Sequence, residues 1–564
     1  MLISDHIEKL KEKYNVLDVI DCDSYAPTQP ELYSHIKQNH KEAFENNDRI
    51  IITLSRDYYN HHSNNLMLQS IQKIINDIDI SNFFVTIVTT NINIKEEYQW
   101  ILENISIDNV PFQLISADGD YEYTNNEDYT VYRSFGAIEL PEDLTDKERH
   151  LFLDSKVFCI LPWISQYTIT DGKVKPCCNY KESIGNTRTH SLEDIWNNEK
   201  TKQLRLDLLN DVKVKQCERC YIREQTYNDQ TNFRISYNKK FIDQRKLLEQ
   251  TNNDGSLDTH HLKLVYYKHD NLCNLTCRMC NSTYSSSLYK VEKDLGILNR
   301  DGKARLQNGR HDTDLYEQLT DQADHIQQLI FEGGEPLMNS QSYDYIELLN
   351  KKQKHDVELH VVTNMTHNSL KDRNFLDLTQ QFKTMSIYGS LDAEGKRAEY
   401  LRNGTQWDKV LAFRQEMKQK RKDIFFCIHN TLTIINVLHS PDFHKSWVEK
   451  GLVDPGNFYI NTLFEPKYLQ VENAPEELKQ LIREKYTKHI KWLRPLDRNG
   501  KSISGYESVL DTIDNNNKFD GELFWNEIDK LDNYYNQNLL EYFPELEMLT
   551  KYRKPSRIIN TVTN

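Results

Sequence analysis

Cys273-Asn-Leu-Thr-Cys277-Arg-Met-Cys280 is the stretch from which the rest of the chain becomes readable. Iron–sulfur clusters are held by a tight local run of cysteines with a further ligand elsewhere. Here no fourth cysteine lies nearby, so a four-iron cube on these three thiolates keeps one iron open. A zinc knuckle is the other reading, and it needs a fourth ligand. Asn271, Asn274, Thr276 and Asn281 favour turns over helix interiors, as a loop must if it is to gather three thiolates around one centre. The preceding His261-Leu-Lys-Leu-Val-Tyr-Tyr267 reads as a strand from its β-branched and aromatic content. Further on, the strand-like Gln328–Phe331 runs into Glu332-Gly-Gly-Glu-Pro336, where two residues without Cβ let a ligand come close to the backbone. An ordinary strand-end turn is the plainer reading of that second motif.

The CxxxCxxC spacing, followed by Gly333-Gly334-Glu335-Pro336 after a strand, resembles the radical S-adenosylmethionine (SAM) superfamily. The resemblance implies a [4Fe–4S] cluster on Cys273, Cys277 and Cys280, with SAM at the open iron. It further implies that Gly333, Gly334 and Glu335, with Pro336 completing the motif, present acceptors to the methionine ammonium of SAM. Thr363 and Asn364 end the third expected barrel strand, and Ser390 and Asp392 end the fourth. By the same resemblance these four meet the SAM carboxylate or ribose, and Arg402 stands near the cofactor, suited to bidentate carboxylate recognition. Polar residues at strand ends also serve as caps and turns, and that reading stands beside each of these five. Asn436 is a weaker candidate, while Cys427 and His429 alternate with apolar neighbours and read as core or supporting residues. Met365 departs from the pattern, because many relatives carry glycine after the Thr-Asn pair, and a side chain here narrows the approach to SAM.

A chain of 564 residues exceeds one ordinary core, so several domains are expected. The formal charge of −15 argues against a surface that grips nucleic acid through phosphates. No apolar run approaches the length of a membrane span, and Met1-Leu-Ile-Ser-Asp-His6 lacks the basic start and apolar core of a signal peptide. A cytoplasmic protein is therefore expected. Ten cysteines in such a chain, mostly in motif clusters, point to metal or cluster ligation rather than disulfides.

Residues 1–148 alternate strand-like segments (Val16–Ile20, Arg49–Leu54, Phe84–Val88, Phe112–Ile115) with helical patterns, which predicts a small parallel α/β domain. No glycine-rich phosphate loop follows any of its strands, and Cys22 there reads as structural. From 149 to 225 the character changes. Cys159, then twelve residues to Gly172, four more to Cys177, and a closing Cys217-x-x-Cys220 resemble a shortened SPASM domain with one auxiliary cluster, the twitch domain. In most relatives that domain follows the barrel; here it precedes it. A structural zinc site is the competing reading of Cys159, Cys177, Cys217 and Cys220, and Cys178 stands as an alternative ligand to Cys177. Asp171-Gly172 between apolar flanks signals a hairpin. A helical linker is expected over 226–260. Over 261–465, six strand candidates (Leu262–Tyr267, Gln328–Phe331, Val357–Thr363, Thr384–Leu391, Ile424–Ile434, Asn457–Phe464) fit the partial (β/α)6 barrel of the superfamily, whose chemistry sits at the carboxyl ends of strands. A helical region completes the chain over 466–564.

The expected fold is therefore α/β: a radical SAM partial barrel, a small cysteine-rich twitch domain and an amino-terminal parallel α/β domain. The expected cofactors are two [4Fe–4S] clusters and SAM, and a flavodoxin or ferredoxin is the expected electron donor. An auxiliary cluster with four protein thiolates has no open iron, so it serves electron transfer. That favours an enzyme, an oxidoreductase, which oxidatively modifies a peptide or protein residue, with the amino-terminal domain as a candidate recognition module. Oxidation or epimerisation of a small carbohydrate or nucleotide-derived metabolite is the first alternative. A non-catalytic iron–sulfur scaffold or electron carrier is the second.

Overall fold

The computed structural model describes residues 143–554, except 227–232, 269, 298–312, 464, 498–499 and 515–516, together with residue 141 and five strands near the amino terminus. The chain divides into two compact units, Met1–Leu144 and Thr145–Asn564. In the first, β1 (Val16–Asp21), β2 (Arg49–Leu54), β3 (Phe84–Thr89) and β4 (Phe112–Ser116) form a parallel sheet in sequence order. A short β5 (Glu122–Thr124), which lies outside the expected strand segments, pairs antiparallel with β4. Runs such as Ile50-Ile-Ile-Thr53 carry the β-branched content that parallel strands favour. The helical patterns expected between these strands, and Cys22, lie outside the described residues.

The second unit is organised by one sheet of nine strands. In chain order its described strands are β6 (Ser165–Thr168), β7 (Lys173–Lys175), β8 (Gly185–Asn186), β9 (Leu264–Tyr267), β10 (Thr276–Cys277), β11 (Gln328–Phe331), β12 (Glu358–Thr363), β13 (Ser369–Leu370), β14 (Arg373–Asn374), β15 (Met385–Ser390), β16 (Arg402–Asn403), β17 (Phe425–Leu432) and β18 (Phe458–Thr462). The large sheet runs β18-β17-β15-β12-β11-β9-β6-β7-β8, while β10 pairs with β16 and β13 with β14. From β9 to β18 the six long strands are parallel and neighbours in sequence order, each pair bridged by helical segments, as repeated βα units require. The cysteine-rich segment joins the same sheet. Its β6 pairs parallel with β9 through Ser165–Leu264, Gln166–Val265 and Tyr167–Tyr266. The β6–β7 hairpin turns at Gly172, whose φ of +87° explains the Asp-Gly signal.

Alternation along the strands gives the sheet two unlike faces. One carries Tyr267, Phe331, Val361, Ile387, Phe426 and Phe458 against helices, with Tyr267 on Tyr345, Phe426 on Trp447 and Phe458 on Phe443. The other is aromatic and polar: Tyr167 meets Tyr266, His360 meets Tyr388, and His429 lies between Tyr388 and Tyr459. The helix Phe233–Lys240 lies on this second face, where the Tyr237 and Tyr266 hydroxyls are 3.1 Å apart and Lys240 pairs with Glu358. The edge strand β18 packs against the helix Lys501–Ile513. Ser502 Oγ accepts from Phe458 N at 3.1 Å, so part of the edge is covered. No helix among the described residues is long and apolar enough to cross a membrane.

Candidate active site

The three cysteines of the motif lie just beyond the carboxyl end of β9. Cys273 and Cys277 are buried around Leu275, and Met279 and Cys280 pack against them. The loop holds its shape through short polar side chains, as its Asn and Ser content requires. Asn271 Nδ2 donates to Ser282 O at 2.8 Å, Ser285 Oγ to Leu275 O at 2.7 Å, and Ser287 Oγ to Cys273 O at 2.6 Å. Burial pushes the thiols upward, Cys280 to about 11, so they are neutral until a cationic centre deprotonates them. Two donors already face the sulfurs. Arg402 Nη1 is 3.8 Å from Cys277 Sγ, and Asn364 Nδ2 is 3.9 Å from Cys273 Sγ. Two buried thiols and one half-buried thiol, with cationic and amide donors around them, are a donor set that suits a negatively charged thiolate cluster.

The Gly-Gly-Glu-Pro turn is locked to this loop. Gly334 N donates to Asp270 O at 3.3 Å and Glu335 N to Leu272 O at 2.7 Å. A Cβ on Gly334 would sit 2.3 Å from Leu272 O, so that glycine is demanded by the cysteine loop itself. Gly333 has φ +133°, which disfavours any side chain. Pro336 opens the short helix Pro336–Met338. Glu335 is buried, and its carboxylate accepts from Thr363 Oγ1 (2.7 Å), Asn364 N (2.6 Å) and Leu337 N (3.1 Å), tying the turn to the end of β12. A small polar cavity opens here between Asp270, Glu332, Gly334, Glu335 and Asn339.

Burial pushes the Glu335 carboxyl up to about 7 against the opposing pull of those hydrogen bonds. The protonated form is thus favoured in the folded chain. Its contribution to stability is full below pH 4.5, the ordinary value, and is lost as pH rises through 7. The shift corresponds to about 3 kcal/mol. The metal-free protein is expected to lose stability to urea between pH 5 and 8, and Glu335→Gln to flatten that slope. An unchanged slope in the variant would assign the pH dependence to other groups.

The structure brings Thr363 and Asn364 to Glu335 and Cys273, and it brings Asp392 and Arg402 to Cys277. Arg402 sits opposite Cys277 in the β10–β16 ladder, and its Nε donates to Asp392 Oδ2 at 2.6 Å. Asp392 is buried and also accepts from Thr431 N at 2.7 Å. Ser390 is in register with His429 on the polar face, outside that hydrogen-bonded group among the described residues. Asn436 braces the loop after β17, accepting from Thr433 N and donating to Asp392 O. Met365 has φ +61°, the conformation that glycine adopts freely, and its buried side chain lies against Gly389 on β15. It therefore fills the core between strands, where a Cβ on Gly389 would stand 2.6 Å from its sulfur.

The second thiol set gathers on the cysteine-rich segment. Cys159 has Cys217 and Cys220 as electrostatic neighbours, and Cys177 has Cys178 first, then Cys159, Cys220 and Cys217. Cys178 instead has Glu332 as its first charged neighbour, then Cys220 and Lys268, and burial pushes it up to about 12. The Cys159 turn is held by the helix Phe233–Lys240. Asn238 Oδ1 accepts from Ile160 N at 2.9 Å, while Arg234 donates to Phe158 O at 2.6 Å and pairs with Glu224 at 2.5 Å. Asn179 Nδ2 approaches Cys220 Sγ at 3.9 Å. Among the described residues, no three His, Cys, Asp or Glu side chains are close enough to hold a single metal ion. Sequence reasoning missed Asp270, Arg234 and Asn238. Each acts through backbone or buried groups contributed by distant segments, and no local pattern marks that.

Residues 159–221 match the SPASM family, an iron–sulfur cluster-binding domain. No curated protein matches the chain. Among solved structures the chain is similar to native anSMEcpe with bound AdoMet, at 18% identity over 43% of this chain and 62% of that one, with a TM-score of 0.30. It is similar to native anSMEcpe with bound AdoMet and Cp18Cys peptide, at 16% identity over 42% and 61%, TM-score 0.30. It is also similar to Streptococcus suis SuiB bound to precursor peptide SuiA, at 15% identity over 57% and 70%, TM-score 0.28. The chain spans about three fifths of the length of the anSMEcpe structures it matches.

Proposed function

We propose that this chain is a radical SAM enzyme with an auxiliary cluster, and that it oxidatively modifies a peptide or protein residue. One observation carries the reading: a three-cysteine loop locked to a Gly-Gly-Glu-Pro turn shares one continuous sheet with the cysteine-rich segment that matches an iron–sulfur cluster-binding domain. Cys273, Cys277 and Cys280 would hold the first [4Fe–4S] cluster. Cys159, Cys177, Cys217 and Cys220 would hold the second, with Cys178, which also feels the Cys220 charge, as the alternative to Cys177. When bound, the first cluster and SAM supply reductive cleavage to a 5′-deoxyadenosyl radical, which removes hydrogen from carbon. The protein's part is to orient and shield. Arg402 and Asn364 donate toward the thiol set, Asp392 fixes Arg402, and Glu335 binds the end of β12 to the cysteine loop.

The domain division at 148, 225, 260 and 465, a curled partial barrel, a cytoplasmic location and a flavodoxin or ferredoxin donor belong to the same proposal. Anaerobically reconstituted protein is expected to hold about eight irons per chain. Reduced with dithionite, it is expected to convert SAM to 5′-deoxyadenosine without added substrate. Full iron loading with no SAM turnover would favour the scaffold or electron-carrier alternative. Zinc at the second set would remove the auxiliary cluster from the reading.

A further inference from the structure

Between Cys277 and Cys280 the motif carries Arg278, and its side chain leaves the thiol site altogether. It is fully buried, and its guanidinium carbon lies 3.7 Å from the centroid of the Tyr400 ring. Its Nε donates to Tyr400 O at 3.0 Å. Its Nη2 donates to Asp532 Oδ1 at 2.6 Å and to Gln537 Oε1 at 2.8 Å, across a separation of 254 residues from Asp532. Asp532 belongs to the helix Gly521–Tyr535, and Gln537 follows that helix after Asn536, a left-handed cap with φ +53°.

The carboxylate of Asp532 is a junction. Its Oδ1 also accepts from Tyr400 Oη at 2.9 Å, and its Oδ2 accepts from Leu539 N at 2.8 Å. Tyr400 in turn stacks on Tyr542 at 4.8 Å. The backbone of the loop is held from the same side, with Arg278 N donating to Leu401 O at 2.9 Å and Cys277 opposite Arg402. An exposed ion pair contributes little, but a desolvated one with a planar fork fixes direction as well as distance. Removing one partner leaves the other buried and uncompensated.

We propose that Asp532 and Gln537 are positioning residues for the three-cysteine loop and act on Cys277 and Cys280 through Arg278. The carboxyl-terminal helices are then part of the cofactor site, beyond covering the sheet. The cofactor half of this inference rests on the radical SAM reading; the loop-restraint half does not.

The test is Asp532→Asn in the full chain with two readouts. In metal-free protein, backbone hydrogen exchange over 273–280 should speed by about tenfold while 215–221 keeps its protection. In reconstituted protein reduced with dithionite, the paramagnetic signal that responds to added SAM should be lost to a chelator about tenfold faster, with the other cluster's signal unchanged. Arg278→Lys, which keeps the charge and loses the fork, should fall between wild type and Asp532→Asn. If exchange changes as expected and the wild type shows no SAM-responsive signal, the radical SAM reading fails and the restraint stands. If a folded Asp532→Asn protein matches wild type in both readouts, the proposal is overturned. If Asp532→Asn loses protection throughout, Gln537→Ala decides: selective loosening of 273–280 supports the proposal, and no change overturns it.

Discussion

Gly334→Val is expected to abolish SAM cleavage, with a loss of about 100-fold or more in 5′-deoxyadenosine formation. The first added carbon would lie 2.3 Å from Leu272 O, 2.6 Å from Asn271 C and 2.7 Å from Leu272 C. All three atoms are backbone, so no flexible side chain can swing aside, and the loop carrying Cys273 must move. Glu335 N would lose its 2.7 Å bond to Leu272 O in the same displacement. Overpacking a buried site of this kind typically costs about 1–3 kcal/mol. The variant should therefore fold while failing to hold iron at the three-cysteine site. Iron analysis and product chromatography measure both effects. A folded variant with unchanged iron and unchanged SAM cleavage would show that the turn does not support the cofactor site.

Replacing Cys217 and Cys220 together with alanine is expected to lower iron from about eight to about four per chain. Cleavage of SAM without substrate should persist within about twofold, because the two thiol sets share no ligand and distant sites act independently. Cys217 ends the turn Lys215–Cys217, and Cys220 lies one turn into the following helix, so both thiols are presented from one short segment toward Cys159 and Cys177. Loss of SAM cleavage in a folded variant would mean that the four-thiol set supports the first site directly. A wild-type protein that carries zinc there by elemental analysis would overturn the auxiliary-cluster assignment itself.

The two predictions differ in what the sequence made visible. The cysteine spacing and the Gly-Gly-Glu-Pro turn are local patterns, and local geometry suffices to read them. Alternating apolar runs likewise marked the six parallel strands, because period-two patterning and β-branched content are properties of each segment alone. The reason for Gly334 was not visible. The sequence reading cleared the space for SAM, whereas the structure fills it with the backbone of residues 271–272, which only the packing of one strand end on another brings there.

The same limit applies elsewhere. Met365 reads as an intrusion on the cofactor, yet its backbone turns left-handed and sends the side chain into the core against Gly389, a choice made by the neighbouring strand. Asp392 and Arg402 each resemble cofactor contacts in the sequence, and the fold pairs them with one another beside Cys277. Arg278 stands inside the motif, while the groups that hold it lie on the carboxyl-terminal helix and just beyond it. By itself the sequence determined which residues could do this chemistry and which segments would be strands, because spacing and periodicity are local. The tertiary structure decided which polar groups neutralise one another, which glycine is indispensable and which distant helix holds the loop, because those depend on burial and on contacts between segments far apart in the chain.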